Sequence, residues 1–180
     1  MSYGHLSPAQ SEALTPHVQG RVVHDFGAGS CELARKLVQL GAEQVIAIDK
    51  EKMPCVDDPR VIQKHGYFGQ AAADEIDVAF MSWPQNMESP VLLALVEHAR
   101  TVVYLGKNTD GSSCGWPGLF ESLLWRRLLV YTPERPNTLI IYGGKLKRRR
   151  RPRGEERAAI TIEEQVRPLK YETVEADDKE

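Results

Sequence analysis

The sequence predicts an α/β fold: a doubly wound, mostly parallel sheet of about seven strands that ends in an antiparallel hairpin. Two observations predict it. Short β-branched runs alternate with segments carrying apolar residues at helical spacing, the pattern of βαβ units with both sheet faces covered. The last two apolar runs, 127–131 and 138–142, are separated only by a turn containing Pro133, Pro136 and Asn137. A parallel crossover needs roughly a dozen residues or more, so these two must pair antiparallel.

The elements follow in order. Residues 7–19 read as a helix with Ser7 as N-cap and Pro8 at the first helical position. The run 21–26 is a strand that ends in glycines. Residues 30–40 form a helix through Leu33, Leu37 and Leu40, stopped by Gly41. Residues 44–49 are a second buried strand. Further strands fall at 61–64, 77–82 and 101–105, with helices at 90–100 and about 117–125. The closing hairpin completes the sheet.

Length and charge set the outer limits. The chain has 180 residues, one domain's worth with room for a tail. Residues 1–144 hold 12 basic and 16 acidic side chains, a net of −4; residues 145–180 hold 11 and 9, a net of +2. Seven of the nine residues 145–153 are basic, and Asp177, Asp178 and Glu180 end the chain. Apolar residues beyond 144 are too sparse for a second core. The expected division is therefore a compact domain over 1–144 and a charged, disordered tail over 145–180. No apolar stretch approaches the ~20 residues of a membrane span. No secretory leader is visible at the N-terminus. The cysteines, Cys31, Cys55 and Cys114, form no CxxC pair and are odd in number. Three reduced thiols and a cytoplasmic location are expected. The histidines have no metal-ligand spacing, so no metal site is expected.

The loop after the first strand carries the chemistry. It reads Asp25-Phe26-Gly27-Ala28-Gly29-Ser30-Cys31. Glycines one residue apart let the backbone turn sharply and approach a ligand, at the N-terminus of the following helix. Asp49 ends the second strand, 22 positions after Gly27, where an acid can accept hydrogen bonds from a ribose diol. A dinucleotide site would want a third glycine where Glu32 stands, and a carboxylate there would repel a pyrophosphate. NAD and FAD are therefore disfavoured.

With D-F-G-A-G-S and Asp49, the sequence resembles the class I (Rossmann-like) S-adenosylmethionine (SAM)-dependent methyltransferases over about residues 20–143. Cys31 departs from the alternating glycines of that family. The resemblance implies SAM as cofactor, held at Asp25, Gly27, Ala28, Gly29, Asp49 and Lys50. Asp25 and the backbone at Gly27 and Gly29 would take the methionine end, and Asp49 the ribose. His65, Tyr67 or Phe68 would lie by the adenine. The acceptor side would be the loop after the fourth strand, Met81-Ser82-Trp83-Pro84-Gln85-Asn86. It resembles in part the [D/N/S]-P-P-[Y/F/W] motif of amino-group methyltransferases, in the altered order S-W-P. Ser82, Trp83 and Asn86 are the candidate catalytic residues.

The loop 106–118, with Lys107 and Trp116, suits an acceptor site or lid. Cys114 lacks the Pro-Cys dipeptide of cytosine C5 methylation. The basic run 145–153 suits contact with nucleic acid, although no aromatic residue interleaves it. The expected activity is methyl transfer to an acceptor that is a small molecule, a nucleic acid or a protein, away from membranes. The alternative is a non-catalytic SAM-binding protein whose basic tail docks on nucleic acid or a partner.

Overall fold

The computed structural model describes residues 5–51, 54, 56–66, 76–84, 98–106, 127–133 and 137–144. They form α1 (Pro8–Val18), β1 (Val22–Phe26), α2 (Glu32–Gln39), β2 (Gln44–Asp49), β3 (Val61–His65), β4 (Ile76–Ser82), β5 (Ala99–Gly106), β6 (Arg127–Pro133) and β7 (Thr138–Gly143). All seven expected strands are present, in one sheet of order β3-β2-β1-β4-β5-β7-β6. The first five run parallel, and β7 pairs antiparallel with both β5 and β6.

The hairpin folds back, so that its second strand lies inside the sheet and its first lies at the edge. Burial explains the choice. All six residues of β7 are buried, whereas Leu128 and Tyr131 of β6 are exposed. A continuous apolar run belongs in a strand covered on both faces. The edge strand β6 also carries a register irregularity between Leu128 and Val130.

α1 begins where its capping chemistry dictates. The Ser7 hydroxyl accepts the Gln10 N–H at 3.1 Å, and Gln10 Oε1 accepts the Ser7 N–H at 3.1 Å. This capping box satisfies two otherwise orphaned donors. α1 contributes Leu14 and Val18, and α2 Leu33, Ala34, Leu37 and Val38, to a core built on Val23, Val45, Ala47, Val78, Phe80 and Val103 of the sheet. The opposite face buries Phe26, Ile48, Ala79, Met81, Val102 and Tyr104. Each large side chain so buried is worth about 1.5–3 kcal/mol of transfer free energy.

β5 starts at Ala99, two residues before the expected strand. Ala99 is buried and pairs with Ile76, so the parallel ladder extends through residues the sequence placed in a helix. Most of the helix expected over 90–100 and all of that over 117–125 lie outside the described residues, as does the whole of 145–180. Among the described residues no helix is long and apolar enough to cross a membrane.

The strand order fixes where a ligand crevice lies. Going outward from β1, the chain runs through β2 and β3 on one side and through β4 and β5 on the other. The reversal between β1 and β4 is a topological switch point, and crevices in open α/β sheets form at the carboxyl ends of strands there. Phe26 stands beside both Ile48 and Met81, so the loops after β2, β1 and β4 emerge side by side.

Candidate active site

Gly27 and Gly29 have φ of +78° and +52°, a left-handed conformation that side chains rarely adopt. Among the described residues, and apart from the adjoining residues of the chain, no atom lies within 4 Å of where a Cβ would stand at either glycine, so the described residues leave the space beside this turn open. The end of β2 secures the turn. The N–H groups of Gly27 and Ala28 both donate to the Ile48 carbonyl, at 2.9 and 3.2 Å. The Gly29 N–H donates to Asp49 Oδ2 at 2.8 Å.

Asp49 therefore works within the protein. Its other oxygen, Oδ1, accepts the Glu51 N–H at 2.9 Å. Each carboxylate oxygen keeps further lone-pair capacity, and the side chain is only half-buried. Lys50 is exposed, with Nζ 4.0 Å from Glu51. His65 ends β3 in register with Asp49 and is exposed. Tyr67 and Phe68 lie outside the described residues.

Asp25 is the unusual group. It sits on β1 between Ala47 and Phe80, fully buried, and neither carboxylate oxygen has a hydrogen-bond partner. Burial, and secondarily the charge of nearby Asp49, pushes its pKa up to about 7. A buried carboxylate without a partner costs several kcal/mol when ionised. Such a group is rare unless a positive ligand completes it.

On the other side of the switch point, Ser82 ends β4 half-buried. Trp83 follows with φ +46° and donates its backbone N–H to the Leu105 carbonyl at 2.8 Å. Its indole Nε1–H donates to Asn137 Oδ1 at 2.7 Å. Pro84 is buried. Asn86, Lys107, Cys114 and Trp116 lie outside the described residues.

No protein family matches the chain, and no curated protein matches it in sequence. Solved structures do. The chain is similar to 1,6-didemethyltoxoflavin-N1-methyltransferase from Burkholderia thailandensis, solved with 1,6-didemethyltoxoflavin and S-adenosylhomocysteine bound. That match has 17% identity and a TM-score of 0.60, over 75% of this chain and 76% of that one. It is similar also to a ribosomal protein L11 methylase from Lactobacillus delbrueckii subsp. bulgaricus, with 18% identity and a TM-score of 0.54, over 81% and 82% of the two chains. The fold is that of the class I methyltransferases. By their names, one of these two proteins acts on a small molecule and the other on a ribosomal protein, so the class I fold by itself specifies no acceptor.

One sequence expectation needs correction. Cys31 is disulfide-bonded, so it is not one of three reduced thiols. Among the described residues no group of three His, Cys, Asp or Glu side chains is placed to hold a metal. The structure also adds two residues that the sequence did not single out, Asn137 and Gln10. Asn137 bonds the Trp83 indole and Gln10, besides its capping-box role, bonds the Asn137 carbonyl, both through contacts between segments distant in sequence.

Proposed function

We propose that this protein is a SAM-dependent methyltransferase. The observation that carries the reading is the unpartnered, fully buried carboxylate of Asp25 beside the open glycine turn and Asp49. Two neighbouring acids favour a cation. SAM carries an ammonium and a sulfonium, and a dinucleotide carries a pyrophosphate that Asp25, Asp49 and Glu32 would all repel.

In this reading Asp25 takes the charge of the methionine ammonium. Because the N–H groups of Gly27, Ala28 and Gly29 are already engaged, the glycine turn contributes its carbonyls and its open space. Asp49 uses its spare lone pairs for the ribose hydroxyls while holding Gly29 in place. Lys50 and His65 border the same edge. SAM supplies an activated methyl group, so the work left to the protein is alignment of acceptor, methyl and sulfur. Ser82 and Trp83 would do that from the end of β4, with Asn86 beyond them.

The basic run 145–153 supports a polyanionic acceptor or partner, because seven cations in nine residues attract phosphate with steep salt dependence. Calorimetry tests the cofactor reading. SAM and S-adenosylhomocysteine should each bind at one site per chain, and NAD should not. Binding of NAD without SAM would overturn it.

A further inference from the structure

The Trp83 turn is held in a conformation its own residue disfavours. A left-handed backbone costs a bulky residue roughly 1–2 kcal/mol. Such strain persists only where the surroundings over-determine it. Here the backbone N–H is fixed on Leu105 and the indole N–H on Asn137.

Asn137 is itself fixed on every side. It is 7% exposed. Its Nδ2 donates to the His5 carbonyl at 2.9 Å, and its own carbonyl accepts Gln10 Nε2 at 2.8 Å. Gln10 is 1% exposed, and its Oε1 is the capping-box acceptor of α1. An asparagine side chain offers one acceptor and two donors, so facing an indole N–H on one side and a carbonyl on the other allows only one orientation. Alanine would leave the indole N–H and the His5 carbonyl without these partners. Aspartate would keep the acceptor for the indole but turn an oxygen against the His5 carbonyl.

We propose that Asn137 is a positioning residue of the acceptor side: it locks the Trp83 ring at the end of β4 and ties that ring to the start of α1. With its N–H engaged, the indole offers the acceptor its ring rather than a hydrogen bond, and the preceding residue, Ser82, is half-buried at the end of β4. The proposal rests on the methyltransferase reading above and adds a residue at a distance from both motifs.

The test uses the full chain with 15N-labelled tryptophan, the Trp83 indole resonance being assigned by Trp83→Phe. Three quantities are measured: exchange of that indole proton with water, SAM affinity by calorimetry, and transfer of labelled methyl from saturating SAM to a cell extract. Asn137→Ala should speed exchange at least tenfold and lower transfer at least tenfold, with SAM affinity kept within twofold. Asn137→Asp should keep the indole protected and recover part of the transfer. Should the alanine variant not fold, Trp83→Phe, which removes the N–H, should reproduce the loss of transfer at unchanged SAM affinity. Unchanged exchange or unchanged transfer in Asn137→Ala would overturn the proposal, as would a parallel fall in transfer and SAM affinity, the mark of a merely structural role. A parent chain that binds SAM but methylates nothing would overturn both the catalytic reading and the positioning role. An active parent whose Asn137→Ala variant transfers methyl equally well would overturn the positioning role alone and leave the catalytic reading standing.

Discussion

Replacing Asp25 with Asn should make the ligand-free protein more stable and the cofactor site worse. The sign follows from proton linkage. The carboxyl has an ordinary pKa of 3.8 when unfolded and about 7 when folded. Between those values the folded state binds more protons than the unfolded one, so stability falls as pH rises through the window, and the penalty is complete above about 7. At about 1.4 kcal/mol per pH unit, the full penalty is a little over 4 kcal/mol. Asn removes the charge but leaves a buried amide whose missing partners cost about 1–3 kcal/mol. The advantage of Asp25→Asn over the parent should therefore grow by roughly 2–3 kcal/mol between pH 5 and pH 8, read by urea unfolding at each pH. Over the same range the parent's SAM affinity should rise with pH and level off above about 7, because binding a cation requires the ionised acid. Asp25→Asn should bind SAM at least tenfold more weakly at pH 8, with little pH dependence. A stability difference that stays flat with pH would refute the buried, unpaired carboxylate. Unchanged SAM affinity would refute its role in cation binding.

Three further outcomes are expected. Asp49→Ala should weaken SAM binding by roughly 1–3 kcal/mol, partly because the Gly29 N–H then has no carboxylate to hold it; calorimetric affinity equal to the parent's would contradict it. Ser82→Ala should lower the rate of labelled-methyl transfer while leaving SAM affinity within twofold; an equal loss of both would place Ser82 against the cofactor instead. Removing residues 145–180 should leave a folded, SAM-binding domain by circular dichroism and titration. If the acceptor is nucleic acid, the truncation should also flatten the salt dependence of binding, by close to one unit of log–log slope for each phosphate that the tail had neutralised. An insoluble truncation would show that the boundary at 144 is wrong.

The parts of the fold that were legible in the sequence are those written locally. The β-branched runs mark strands covered on both faces, and the spacing of Leu33 and Leu37 marks a helix whose side chains face the core three or four residues apart. Asp25, the glycine pair and Asp49 could be read because a turn's conformational demand and a strand end recur at a fixed separation. Ser7 announced α1 through its capping chemistry. The place of β7 inside the sheet was less accessible, since it depends on which hairpin strand is better covered. The Asn137 network was invisible for a different reason. Its hydrogen bonds join residues 54, 127 and 132 positions apart, so no local period or motif records them. In the sequence Asn137 is only a turn residue after Pro136. The oxidised state of Cys31 is likewise a tertiary fact, which three cysteines without a paired spacing could not announce.

Methyl transfer itself is the decisive measurement. The purified full-length chain is incubated with SAM labelled in its methyl group and an extract of unmethylated cellular components, which is then separated into RNA, DNA, protein and small molecules. A SAM-dependent methyltransferase should place label in one of these fractions, dependent on the chain, abolished by S-adenosylhomocysteine and strongly reduced by Asp25→Asn. Tight binding of SAM with no label above background in any fraction would contradict the assignment.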